Sequence, residues 1–105
     1  MSLTIISSGK MTETPNSVNV TQSNTTLEYS LDRVSALDWE LNGAAIQGDS
    51  NNQASTPVVG TGGYSLSFID ANTAVETFHV IIYFTNRSSG NKHWHDPGVT
   101  NEPPV

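Results

Sequence analysis

Between Leu27 and Phe84 the apolar residues recur at every second position, and that period restricts the chain to strands. Leu27, Tyr29 and Leu31 alternate with Glu28, Ser30 and Asp32. Leu37, Trp39 and Leu41 alternate with Asp38 and Glu40, and Tyr64, Leu66 and Phe68 with Ser65 and Ser67. Successive side chains of a strand point to opposite faces, so each set predicts a strand with one buried and one wet face. Thr77 to Thr85 differs: Phe78, Val80, Ile82 and Phe84 fill one face while Ile81 and Tyr83 occupy the other. Such a strand belongs in the middle of a sheet or under a cover. No stretch carries a convincing helical period; Asp70 to Glu76 offers a turn or a single helical turn. The expected core is Leu27, Tyr29, Leu37, Trp39, Ile46, Leu66, Phe68, Phe78, Val80 and Ile82.

Turn chemistry separates these strands. Asn42-Gly43 is the dipeptide preferred in two-residue type I′ turns, because both positions tolerate positive φ. A hairpin closed there sets Leu41 opposite Ala44 and Trp39 opposite Ile46, with all four on one face. The cluster Asn86 to Asn91 predicts a second hairpin, with Lys92 to Asp96 returning. Leu3 to Ser7 and Val18 to Thr21 predict edge strands, and Pro57-Val58-Val59 a short one inside the polar stretch 47–63. Pro97, Pro103 and Pro104 predict that residues 98–105 form an extended or loose tail. The 105 residues make one domain, spanning 1–105. The expected fold is an all-β antiparallel sandwich of about seven to eight strands. Trp39, Asn42-Gly43 and Ile46 together resemble the C–C′ hairpin of immunoglobulin-like domains. Tyr64 to Phe68 followed by Phe78 to Phe84 resembles their E and F strands. This resemblance implies an immunoglobulin-like fold over roughly residues 25–96, without that family's two cysteines.

Composition excludes several functions. Ten acids face four bases, for a net charge of -6, so nucleic acid is not an expected partner. No run approaches the ~18 apolar residues of a membrane span. The chain has no cysteine, hence no disulfide, thiolate metal site or cysteine nucleophile. The first residues, Met1 to Ile6, lack a positive n-region, so no signal peptide is visible. The 13 Ser, 12 Thr and 10 Asn favour a secreted or cell-surface setting. Their abundance also makes the sequons at Asn19, Asn24 and Asn86 readable as chance triplets.

His93-Trp94-His95-Asp96 is the most conspicuous constellation. Residues two apart on a strand share a face, with Cβ atoms about 6–7 Å apart. That spacing suits two imidazoles on one Zn²⁺ or Cu²⁺, given a third ligand. Closing the 86–91 turn puts His93 and His95 opposite residues near 82–85 and leaves His79 more than ~10 Å away. A polar edge strand is therefore preferred to a metal site. Trp94 is expected inside, against Tyr83; exposed, it would form a stacking platform for a sugar ring. Asp38 and Glu40, with Glu28 and Asp32 nearby, read as a solvated acidic face rather than a glycosidase pair. Asp70-Ala71-Asn72 with Glu76 offers oxygens for Ca²⁺ but lacks the 12-residue EF-hand pattern and reads as a turn. Gly60-Thr61-Gly62-Gly63 lacks the lysine of a phosphate loop, and no Gly-x-Ser-x-Gly elbow occurs.

The expectation is a non-enzymatic binding or adhesion module, without cofactor or metal, that recognises a glycan or a protein surface. Its ligand-binding residues would be Trp94, His93, His95, Asn91, Asn51 and Asn52. The alternatives are an assembly protein forming homo-oligomers through its edge strands, and a metal-binding sandwich using His93 and His95.

Overall fold

The computed structural model describes residues 1–15 and 18–104. Its described residues form ten strands: β1 (Ser2–Ile5), β2 (Met11–Thr14), β3 (Val18–Val20), β4 (Thr25–Leu31), β5 (Trp39–Gln47), β6 (Val58–Val59), β7 (Ser65–Asp70), β8 (Glu76–Asn86), β9 (Lys92–His95) and β10 (Gly98–Asn101). One sheet runs β2-β1-β4-β7-β6 and the other β3-β10-β8-β5, with β9 also on β8. The chain is thus all-β, in two sheets of five strands. The count exceeds the expected seven to eight for two reasons. Pro97 splits the last strand in two, and Met11–Thr14 adds a hairpin partner to β1. Nor is the fold purely antiparallel: β1 runs parallel to β4, and β3 parallel to β10, so both sheets are mixed.

The alternating residues meet between the sheets. Leu27 and Tyr29 of β4 lie opposite Phe68 and Leu66 of β7. Phe78, Val80, Ile82 and Phe84 of β8 are completely buried. Phe68 and Phe78 pack edge to face at 6.1 Å, and Trp39 meets Phe84 likewise at 5.6 Å. Each such side chain stabilises the fold by about 1.5–3 kcal/mol through burial. Leu3, Ile5, Met11, Val20, Leu41, Phe84 and Val99 complete the core beyond the residues expected there. Ile46 is only partly buried against it.

Four local expectations are corrected. Asn42-Gly43 is not a turn. Residues 39–47 stay on β8 throughout, from Trp39 opposite Asn86 to Gln47 opposite His79, with a β-bulge between Leu41 and Gly43. Gly43 takes φ 159, a bulge conformation far from the left-handed φ of a type I′ turn. Leu37 is exposed because a single helical turn, α1 (Ser35–Asp38), precedes β5. Ser35 is buried in its place: its hydroxyl accepts the Ile5 N–H at 2.8 Å, and its own N–H reaches Asp32 at 2.7 Å. β1 is interior to its sheet rather than an edge, because β2 covers its free side. Finally, residues 98–101 are extended but not loose. They form β10, which buries Val99 and Asn101 completely against β8 and β3. Val105, at the end of the expected tail, lies outside the described residues.

Candidate functional site

The β8–β9 hairpin builds the most exposed aromatic surface. Its turn is held by Asn86, whose side-chain oxygen accepts the N–H groups of Ser88 and Ser89, both at 3.0 Å. Gly90 closes it at φ 75, a conformation that favours glycine. The resulting register pairs Tyr83 with Trp94, Phe84 with His93, and Ile82 with His95, as the turn position predicted. Cross-strand partners share a face. Trp94 and Tyr83 therefore lie together on the outer face, 72% and 45% exposed. The expectation that Trp94 is buried is overturned: Phe84 and Ile82 face the core and take His93 and His95 with them.

On the other side of Tyr83 stands Gly43 of β5. A Cβ there would meet nothing within 4 Å, so the bulge leaves an open notch beside the Tyr83 ring. Asn42 accepts the Thr85 hydroxyl across this notch. A cleft of about 400 Å³ lies here, lined by Asn42, Tyr83, Phe84, Thr85, Lys92 and His93. The surface offers an aromatic pair with amide, hydroxyl and ammonium groups nearby, on a rigid sheet. That chemistry suits stacking against a flat or ring-shaped group with polar substituents.

The remaining expected site residues fall elsewhere. His93 is an inner residue, stacked on Phe84 at 5.7 Å and edge-on to Trp39 at 5.4 Å. Gly9 packs against its ring so closely that a Cβ would sit 2.4 Å from Cε1. His95 Nε2 is hydrogen-bonded to the buried carboxylate of Glu13. Among the described residues no three His, Cys, Asp or Glu side chains come together in a metal-binding group. Asn91 is an exposed turn residue whose carbonyl accepts the Asn86 N–H. Asn51 and Asn52 sit in the loop after β5. Asn51 donates to Glu76 at 2.8 Å, and Asn52 lines an open depression of about 570 Å³ with Gln53 to Thr56. Glu76 and Tyr83 are seven positions apart on β8, on the order of 23 Å. Asn51 and Trp94 therefore cannot serve one small ligand.

The acids are engaged in structure. Glu40 pairs with Arg87 at 3.4 Å. Hydrogen bonds from the Thr4 hydroxyl and the Ser35 amide hold the Asp32 carboxyl below its ordinary value. Burial, and then the neighbouring Asp49, raise that of Glu76. Burial also raises that of Asp70, against the hydrogen bonds from Asn101 and Asn72. Sequence reasoning set Tyr83 beside Trp94 but did not count it, Asn42 or Lys92 among the site residues; Asn42 depends on the β5–β8 register and Lys92 on that of β8 with β9.

No family model and no curated protein matches the chain.

Among the described residues, no helix is long and apolar enough to cross a membrane.

Proposed function

We propose that the protein is a non-catalytic binding or adhesion module that recognises a glycan or protein surface through the outer face of β5, β8 and β9. The observation that carries this reading is the exposed Trp94 beside Tyr83. Large aromatics left in water on a rigid sheet mark contact surfaces more often than buried ones do. A sugar ring laid on Trp94 would find Asn42, Thr85 and Lys92 within the adjoining cleft. An immunoglobulin-like architecture goes with the reading. Its support is the strand order: β4, β7 and β6 in one sheet, and β5, β8 and β10 with β3 running parallel in the other. The Ser-, Thr- and Asn-rich composition supports a secreted or surface setting.

The test is a glycan-array screen of the purified chain beside Trp94→Ala and Tyr83→Ala. Both side chains are exposed, so each variant should keep its stability within about 0.5 kcal/mol. Selective binding that both variants lose is the expected result. Binding unchanged in both would remove this face from the proposal.

A second reading is assembly through edge strands. Its support is β5: nine residues long, with no strand on its outer side among the described residues. An exposed edge of that length can pair with another chain. A strictly monomeric mass at millimolar concentration by analytical ultracentrifugation would defeat it.

A further inference from the structure

The strands run along the 47 Å axis of the molecule, and the eleven residues of β8 alone extend over about 35 Å. All four Lys and Arg residues of the chain stand at one end of that axis. Lys10 ends the β1–β2 turn, Arg33 follows β4, Arg87 lies in the β8–β9 turn and Lys92 opens β9. Hydrogen bonds tie these segments together. The Ser35 hydroxyl accepts the Ile5 N–H at 2.8 Å, and the Asp38 carbonyl accepts the Arg87 N–H at 2.8 Å. The Arg87 guanidinium also donates to the Gly62 carbonyl at 2.9 Å. Asp32, Asp38 and Glu40 share this end, one acid fewer than the bases. Glu40 pairs with Arg87. Lys10, Arg33 and Lys92 are exposed and make no ion pair among the described residues. Between them apolar side chains stand in water: Val34 and Leu37 are each 74% exposed, and Ile6 and Tyr64 are also exposed.

The opposite end has the opposite charge. Asp49, Asp70, Glu76 and Glu102 gather there with no Lys or Arg beside them. Asn51 donates to Glu76 at 2.8 Å, the Ala71 N–H to the Gln53 carbonyl at 2.9 Å, and Asn72 Nδ2 to the Glu102 carbonyl at 3.2 Å. The loops after β5, β7 and β10 therefore form one surface. Asp70, Asn72 and Asn101 make a buried polar cluster beneath it. Within that cluster the Asn72 N–H reaches Asp70 Oδ1 at 3.0 Å, which forms the turn expected at Asp70-Ala71-Asn72. Glu102 is exposed on this surface, and so is Val75, its large apolar contact.

Each end thus joins exposed apolar side chains to one sign of charge, and the two signs are complementary. A net charge of -6 keeps copies apart in most orientations, but an end-to-end approach sets bases against acids. We infer that the protein associates head to tail, with the basic end of one copy seated on the acidic end of the next. Such a contact is heterologous: every added copy leaves one end of each kind free, so growth is linear and open-ended. An end of 22 by 20 Å offers on the order of 400 Å² per copy, below the standard interface size, so the contact is weak. An anionic membrane fits the basic end less well, because it would meet three acids beside the four bases and repel the acidic remainder of the chain. The contact needs neither the edge of β5 nor the Trp94–Tyr83 pair, so it stands independently of both readings above.

The test is sedimentation velocity of the full chain up to about 1 mM, at about 20 mM and about 300 mM NaCl. The expected mean mass rises with concentration, passes that of two copies, and falls back toward the monomer at the higher salt. Arg33→Ala with Leu37→Ser strips the basic end, and Val75→Ser with Glu102→Gln strips the acidic end. All four side chains are exposed, so both double variants should fold. Each alone should stay monomeric, since every contact needs both ends. Mixed in equal amounts they should form a dimer and nothing longer, because one brings an intact acidic end and the other an intact basic end. If a double variant fails to fold, Lys10→Ala or Glu102→Gln alone takes its place. A native chain that is monomeric throughout would overturn the inference. So would a dimer that never grows, or growth retained by both variants. Monomeric chain that binds phosphatidylserine–phosphatidylcholine vesicles, and loses that binding with Arg33→Ala and Leu37→Ser, would overturn it in favour of a membrane.

Discussion

Tyr29 buries its whole side chain, hydroxyl included, and that hydroxyl has no hydrogen-bond partner. Burial first, and then the nearby Glu13, push its ionisation well above the ordinary tyrosine value. The folded chain therefore resists losing this proton while the unfolded chain loses it near pH 10. A group with a raised folded pKa contributes stability below its unfolded pKa, and that stability is lost as pH rises beyond it. Tyr29→Phe removes an unpaired polar atom and keeps the ring. It should leave stability at pH 7 unchanged or raise it by up to about 1 kcal/mol. It should also flatten the decline above pH 10. Urea midpoints at pH 7, 9 and 10.5 check both statements. At the same scale, the burial of Tyr29 was legible from its place in the Leu27–Leu31 alternation. The unpaired hydroxyl was not, since it depends on the opposite sheet.

The element that defeated the sequence reading is β5. A two-residue turn at Asn42-Gly43 and a one-residue bulge at the same place put the same four side chains on one face. Trp39 and Leu41 face inward before it; Ala44 and Ile46 do so after it, opposite Ile82 and Val80. Hydrophobic phase cannot separate the two solutions. The eleven-residue β8 decides, by offering a continuous partner along all of 39–47. The bulge thus takes up the one extra residue between 39–41 and 44–46, and Gly43 supplies its backbone conformation. Gly43→Ala has open space for the added methyl, but φ 159 is a conformation that L side chains rarely adopt, so it should cost about 1–3 kcal/mol. Deleting Gly43 should abolish the bulge and set Asn42 opposite Tyr83, while Ala44, Ala45 and Ile46 keep Ile82, Ile81 and Val80 as partners, so the chain should still fold. Chemical denaturation of the two variants distinguishes these outcomes. The β8–β9 hairpin was more legible, because its turn residues fix its register. Register and the inward face of Phe84 together already implied that His93 points inward. The large apolar surface of Trp94 argued the other way and misled.

At the scale of the molecule, β8 joins every part. It carries Tyr83 near one end and Glu76 at the other, and it pairs with β5, β9 and β10. The chain is elongated, 47 Å by 22 Å by 20 Å, so the aromatic surface and the polar cluster occupy separate regions. Composition and alternation revealed the all-β class because they are local properties. The mixed sheet order was hidden, since parallel pairs such as β3 with β10 join residues about eighty positions apart and leave no local trace. β10 shows the cost of that blindness. A chain ending at Asp96 loses Val99 and Asn101 from the interior and leaves β3 unpaired. It should fail to show a cooperative melt, whereas the intact chain melts in one transition. Differential scanning calorimetry of the two chains decides the matter.

The parallel pairing of β3 with β10 also sets how the molecule bears load. Tension drawn through the chain before β3 and after β10 acts at opposite ends of the pair and along both strands. The ladder from Val18–Val99 to Val20–Asn101 is then sheared, with all its bonds strained together. A hairpin pulled from its open end would instead be unzipped one bond at a time. For a module held between two anchored surfaces, this geometry favours rupture at the anchors before rupture of the fold.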